Sequence, residues 1–383
     1  MKIVFASNFY NHHQSPFSAA MDRHTNGNYS FIETMPMDDE RRNLGWGGEQ
    51  YPPYVKRIYD SNETQRECQN LIDNADIVII GSAPDSLIKK RLRQKKLTFR
   101  YSERIYKQGA KWYELPARTL LYYFRHGMHE NLYMLCASAY TAADYAKTAT
   151  FLNKTYKWGY FPEMRQYENI DLMLNRKKAG SILWAGRLID WKHPEVPIKI
   201  AQRLKEEGYT FDLNIIGNGH MEKYLQQMVQ QYNLQEYVHL LGAMPPENVR
   251  QHMEESKIFL FTSDFNEGWG AVLNEAMNSG CAVVASHAIG SVPFLIDNNE
   301  NGLIYQNGDI DSLYSKVKDL LENPNTQKEI GLRAYRTITE QWNADIAAER
   351  FLVLAQSALS GKPMKIYQKH ICSEAEILRN DWL

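Results

Sequence analysis

The sequence predicts an α/β protein made of two doubly wound, Rossmann-like parallel sheets. In both halves of the chain, short apolar runs rich in Val, Ile, Leu and Phe alternate with amphipathic helical stretches, the pattern of buried parallel strands joined by crossover helices. A length of 383 residues suits two domains at about 150 residues each, and a 44% hydrophobic content fills two cores. The polar, glycine-bearing stretches fall directly after the apolar runs, where α/β sheets carry their ligands.

Taken in order, the first half holds strands near 2–7, 29–34, 76–81, 97–101 and 132–137. The second holds strands near 182–186, 211–216, 238–241, 258–262, 282–285 and 302–305. The run Met1–Ser7 is too short in apolar residues for a signal peptide and reads as the first strand. Between the halves, Tyr160–Asp171 is irregular and polar, a linker. The expected division is 1–165, 166–345 and a helical segment 346–383 that returns to the first domain, with a short helix near Glu374–Asn380.

Charge and cysteine content exclude several functions. The 44 basic and 45 acidic residues leave a net charge of −1, so no global field favours nucleic acid. Cys68, Cys136, Cys281 and Cys372 are scattered without metal or redox spacing, which fits reduced thiols, Cys136 and Cys281 in the core. Asp309-Ile-Asp311 precedes a helix and reads as a cap, and His126, His129 and the pair His12-His13 lack companions for a metal. No metal ion or other cofactor is expected.

The most informative stretch runs from Phe265 to Met277. Glu267 and Glu275 straddle a glycine-flanked turn, with Glu267 just past a strand and Glu275 about two turns inside the following helix. The amides of Gly268, Trp269 and Gly270 would open that helix and favour an anion such as phosphate. Arg187, Gly217, Gly242 and Ser263 also follow predicted strands, so the sheet places them on one edge.

This spacing resembles the Glu-x7-Glu signature of retaining glycosyltransferases of the GT-B fold, in particular glycosyltransferase family 4, the glycosyl transferases of group 1. The resemblance extends to Ser181–Lys192, with its Gly-Arg and a lysine five residues on, and to Asn214–Gly219, Val238–Gly242 and Asn301–Tyr305, in the family's order. It covers roughly residues 180–310 and is weak before 160. It implies that Arg187 and Lys192 stabilise the leaving diphosphate, that Glu267 contacts the transferred sugar near the reacting carbon, and that Glu275 holds the ribose hydroxyls. Gly217, Gly242, Ser263, Gly268–Gly270, Val272 and Leu273 would complete the donor site.

Taken singly, each feature has a plainer explanation. Glu267 alone reads as a dipole partner at a helix start, Lys192 as a surface cation and Gly217-Asn-Gly219 as an ordinary turn. The ordered set of matches favours the enzyme. The first domain would bind the acceptor, but it departs from the family: the loop Ser7–Pro16 has no glycine. There Asn11, His12, His13 and Gln14 would line the edge, with the helix starting from Gln14, and Glu103 or Arg104 would occupy the place of a sugar-contacting histidine.

Between Lys89 and Arg100 seven cations occur with no acid, beside the aromatic and basic stretch Lys111–Arg125. Together they suggest either a surface for anionic lipid or a solvated face plus a core helix. The resulting expectation is a metal-independent hexosyltransferase, cytoplasmic or peripheral at the inner face of the membrane. It would take a nucleotide diphosphate sugar, UDP-linked before GDP-mannose, and act on a glycan or polyprenyl-linked acceptor. The alternatives are a nucleotide-sugar epimerase of the same fold and a nucleotide-binding protein without turnover.

Overall fold

The computed structural model describes residues 1–38 and 51–383. Two compact units emerge, one formed by Met1–Glu163 with Trp342–Trp382, the other by Met164–Gln341 and the terminal Leu383. Each is built on a parallel sheet with helical crossovers. The α/β class and the two Rossmann-like sheets expected from the sequence are both present.

Unit 1 carries seven strands in the order β3-β2-β1-β4-β5-β6-β7. These are β1 Ile3–Ser7, β2 Tyr29–Glu33, β3 Val55–Arg57, β4 Ile77–Ile80, β5 Thr98–Ser102, β6 Leu132–Cys136 and β7 Thr155–Lys157. The order reverses between β1 and β4, which flank one another in parallel register. Strand β1 is buried on both faces. Val4 and Ala6 pack on the aliphatic side with Ile32, Ile72, Val78 and Ile80. Phe5 lies on the aromatic side, 5.2 Å from Phe31 and 6.3 Å from Phe17. Two strands escape the sequence reading, β3 and β7, because each has three residues, at least one cation and an edge position.

The chain breaks after the helix Pro324–Glu340, and Asn343 caps the next helix, Ala344–Leu359, by accepting from the Ile346 amide at 3.0 Å. That last helix belongs to unit 1, where Phe351 meets Phe99 at 5.0 Å and Trp158 at 5.8 Å. The segment Glu374–Asn380 is not helical. Glu374 instead bridges Tyr156 on β7 in antiparallel fashion, with the Thr155 hydroxyl donating to the Ala375 carbonyl.

Unit 2 carries six strands in the order β10-β9-β8-β11-β12-β13. They are β8 Ser181–Ala185, β9 Asp212–Ile216, β10 Val238–Gly242, β11 Ile258–Phe261, β12 Ala282–Ser286 and β13 Leu303–Tyr305. Ile182, Trp184, Leu213, Ile215, Ile258, Leu260 and Val284 form the sheet's share of the core. The order reverses between β8 and β11. That reversal leaves a crevice beyond their carboxyl ends, where the two following loops part. Asp309 caps the helix Ile310–Glu322 by accepting from the Ser312 amide, as the sequence predicts.

Candidate functional site

In unit 2 the loops after β8, β9 and β11 are tied to one another above the strand reversal. The Gly186 amide donates to the Ile216 carbonyl, and the Leu188 amide to the Asn218 carbonyl at 2.7 Å. This seats the loop after β8 directly on the turn Gly217-Asn218-Gly219. A Cβ on Gly217, at φ +144°, would stand 1.8 Å from the Gly186 oxygen, and one on Gly219, at φ +156°, 2.3 Å from the Leu188 oxygen. The turn's glycines are therefore required by backbone contact, whatever ligand they meet. Gly217→Ala is expected to cost at least about 3 kcal/mol in denaturant unfolding, from lost contact plus a disfavoured φ.

A second seam joins the loops after β8 and β11. The Thr262 hydroxyl donates to the carbonyls of Lys192 and His193, at 2.8 and 3.1 Å, and accepts from Trp184 Nε1 at 2.9 Å. The Asp264 amide donates to the Trp191 carbonyl. So Trp184, part of the sheet's core, also anchors the site.

On this frame Lys192 forms an ion pair with Glu267, both side chains largely buried at 13% and 10% exposure. Ser263 donates its hydroxyl to the same carboxylate at 3.0 Å. The ring of Trp191 lies beneath both cations, 4.7 Å from Lys192 Nζ and 5.6 Å from the Arg187 guanidinium. Arg187 is exposed, and no carboxylate among the described residues pairs with it. Four predicted residues, Arg187, Lys192, Ser263 and Glu267, thus converge at the switch point of one sheet.

Other residues land differently from expectation. The helix after the turn spans Val272–Asn278 and is entered through Ala271, so Glu275 sits in its first turn and Gly268–Gly270 precede it. Glu275 is partly buried, its carbonyl accepting from Arg250 at 3.0 Å while its carboxylate has no hydrogen-bond or ion-pair partner among the described residues. Desolvation raises its pKa, opposed by the charges of Arg250 and Arg165. Trp269 and Leu273 are fully buried, Trp269 donating Nε1 to Asn274 Oδ1 at 2.9 Å, so neither presents surface to a ligand. Val272 is partly buried beside them. Gly270, at φ +82°, faces the Phe261 ring, which a Cβ would meet at 2.4 Å. Gly242 ends β10, its carbonyl taking the Gly217 amide.

His193 is a residue the sequence reading missed. It adopts φ +51°, and its ring lies between Glu195 (3.2 Å) and Asp264 (3.5 Å). The hydrogen bond to Glu195 leads in raising its pKa, with burial opposing. Trp191 was missed as well. Its only signal was its place inside the matched motif, next to Lys192.

In unit 1, Asn11 accepts from the amides of His13 (2.9 Å) and Gln14 (3.1 Å), closing the turn that leads into the helix Ser15–His24, which has no side-chain cap and starts one residue later than expected. His12 and His13 lie ring to ring at 3.9 Å, and His13 stacks on Tyr160 at 5.7 Å. Burial, and secondarily His12, lowers the His13 pKa to about 3, so it is neutral at pH 7. Tyr160 donates to Glu103 at 2.7 Å, bringing Glu103 and His13 to one cluster at the ends of β1 and β5. The sequence places Tyr160 in the linker, because nothing in its spacing marks it. Arg104 turns inward instead. It is 4% exposed, pairs with Asp144 at 3.4 Å and lies 4.8 Å from the Tyr140 ring, so its charge is spent within the fold.

In the run Lys89–Arg100 most of the cations find partners within unit 1, while Lys89 and Arg93 are exposed. Arg91 is fully buried, Lys90 pairs with Asp73, Lys95 with Glu130 and Arg100 with Asp85, and Lys96 donates to the Asp73 carbonyl. All four cysteines are buried and free. No group of three or more His, Cys, Asp or Glu among the described residues is arranged to hold a metal.

Comparison with known proteins adds to this geometry. Residues 169–337, all within unit 2, match the family described as Glycosyl transferases group 1. The amylovoran biosynthesis glycosyltransferase AmsK of Erwinia amylovora is 31% identical over 171 residues, 43% of this chain and 42% of that protein. The N-acetylgalactosamine-N,N'-diacetylbacillosaminyl-diphospho-undecaprenol 4-alpha-N-acetylgalactosaminyltransferase of Campylobacter jejuni is 31% identical over 151 residues, 39% of this chain and 40% of that protein. The matches thus span about two fifths of these relatives' length. Among solved structures, Anabaena HepE in complex with UDP is similar in fold, with a TM-score of 0.70 over 94% of this chain and 100% of that one at 14% identity. With its parallel sheet, its reversed strand order and its motifs at the strand ends, this chain carries a domain of the glycosyl transferases group 1 family over residues 169–337.

Proposed function

We propose that the chain is a retaining glycosyltransferase that moves a sugar from a nucleotide diphosphate sugar to a hydroxyl of a lipid-linked glycan acceptor in surface polysaccharide synthesis. The observation that carries this reading is the buried Lys192–Glu267 pair, with Arg187 sharing Trp191, at the strand reversal of unit 2. Breaking the sugar–phosphate bond leaves negative charge on a diphosphate and positive character on the sugar. Lys192 has three donors and its pair with Glu267 engages one, leaving two for phosphate oxygens. Arg187 presents a planar fork suited to the same group, and Lys192, held by Glu267, need not reorganise as charge develops.

Glu267, held by Ser263 and Lys192, stabilises the sugar from its own side, and Glu275 accepts from the ribose hydroxyls. Retention follows from attack by the acceptor hydroxyl on the face the diphosphate leaves, the departing phosphate taking the proton. The unit 1 cluster of His13, Glu103 and Tyr160 meets the acceptor side. UDP-linked sugars come before GDP-mannose as donors, a choice supported by HepE having been solved with UDP. The lipid-linked acceptor is supported by the diphospho-undecaprenol named for the Campylobacter relative, which also favours work at the inner face of the membrane. The chemistry here uses fixed cations in place of a metal.

A thermal-shift series with UDP, GDP and their sugars tests the donor. At one hundred times its Kd a true ligand adds about 2.7 kcal/mol, which is about 5 °C or more for units of this size. Turnover of the UDP-sugar that stabilises most, unchanged by EDTA, supports transfer. Isomerisation of that sugar without an acceptor would mark an epimerase, and binding without turnover a regulatory protein.

A further inference from the structure

The segment from Lys107 to Met128 forms the helix Leu115–Tyr122 and one π turn, Tyr123–Gly127. Its inner side is anchored by two rings, Tyr122 stacked on Tyr145 at 5.9 Å and His126 against Phe151 at 5.3 Å. No residue of Leu115–Tyr122 is itself buried. Outward it presents Trp112 at 81% exposure, Leu120 at 61%, Tyr113 at 59%, Phe124 at 58%, Met128 at 53% and Leu121 at 48%. Leu120, Leu121 and Phe124 stand out from the helix and its π turn, with Trp112 and Tyr113 just ahead of them and Met128 just after. The usual arrangement is therefore inverted, with the apolar face toward solvent. A contiguous exposed patch of this kind marks an interaction surface.

The charges around it narrow the partner. Lys107, Lys111, Arg118 and Arg125 flank the patch with side chains 37%, 66%, 41% and 52% exposed. The acids that touch them are Glu103, Glu114 and Asp85, so four exposed cations meet three carboxylates, and one of these, Asp85, is also paired with the largely buried Arg100. A second copy of the chain docked two-fold on this face would set these cations against their own copies. An anionic bilayer complements both features, since its surface attracts the cations while the interface takes in Trp and aliphatic side chains. No helix among the described residues is long and apolar enough to cross a membrane.

We propose that Trp112–Met128 is a docking face for the surface of an anionic bilayer, lying in the interface with Trp112, Leu120 and Phe124 inserted. This does not rest on the sugar-transfer reading. The test is sedimentation of the full chain with phosphatidylglycerol/phosphatidylethanolamine vesicles, with phosphatidylcholine vesicles as control. Binding is expected to the anionic vesicles alone and to weaken in about 0.5 M NaCl as charges are screened. Leu120→Glu with Phe124→Glu should lower the vesicle-bound fraction at least about tenfold with an unchanged melting temperature, because both side chains are exposed. A blue shift of tryptophan emission on vesicle addition should disappear in Trp112→Phe. The proposal is overturned if the chain stays in the supernatant with anionic vesicles at low salt, or if the double variant binds as the parent does. It also fails if light scattering finds a dimer of the parent chain that the double variant loses.

Discussion

Glu267→Ala is expected to lower turnover by about 10²–10³-fold, the loss seen when one fixed electrostatic group at a transition state is removed. Lys192→Ala should fall as far, and the double variant little further, because the two side chains act as one unit. Stability separates the singles. Removing Lys192 leaves a largely buried carboxylate with only the Ser263 hydroxyl as a side-chain partner among the described residues, and breaking a fully buried pair costs about 3–5 kcal/mol. With 13% and 10% exposure the penalty should fall short of that range. Glu267→Gln preserves shape and keeps an acceptor for Ser263, so it should melt near the parent while remaining impaired. The measurement is an initial-rate assay with the stabilising donor, beside melting curves. Turnover near the parent's in Glu267→Gln and Lys192→Ala alike would remove both residues from the chemistry.

The largest effect on folding is expected at Arg91→Ala. The guanidinium has no exposed surface and donates to the carbonyls of Ile72 (2.8 Å), Ala75 (2.7 Å), Asp76 (3.4 Å) and Leu97 (2.7 Å). Burial lowers its pKa to about 10, with Asp73 and Asp76 opposing, so it is charged at pH 7. Truncation would strand carbonyls around a void, and a loss of at least about 4 kcal/mol in urea unfolding is expected. Arg91→Lys should recover little, because a point charge cannot serve carbonyls spread around a planar fork. A change within about 1 kcal/mol for the alanine variant would show that solvent replaces those bonds.

Arg91 also shows where reading the sequence stops. In the primary structure it is one cation among seven between Lys89 and Arg100. In the fold it is an interior cross-link between the end of the helix Asn62–Asn74 and Leu97, just ahead of β5, while Lys90, Lys95, Lys96 and Arg100 each find a partner within unit 1. Composition supplies the sign of these charges but not their neighbours. The same holds for Arg104, which neutralises Asp144, and for Tyr160, which left a presumed linker to join Glu103 and His13. The outward patch of Leu115–Met128 was legible only as an aromatic and basic stretch. Which face such a helix shows to solvent is settled by Tyr145 and Phe151, beyond its own segment.

The strand runs were legible because a strand buried on both faces must be continuously apolar, as in Ile77–Ile80 and Ile258–Phe261. The short edge strands Val55–Arg57 and Thr155–Lys157 lack that constraint and left no trace. Alone, then, the sequence determines two parallel α/β sheets and the order in which Arg187, Gly217, Gly242, Ser263 and Glu267 follow their strands, since these depend on local pattern. The tertiary structure alone decides that Lys192 meets Glu267 across 75 residues, that the Glu275 helix starts at Val272, and which cations stay free, because pairing and burial depend on groups far apart in sequence.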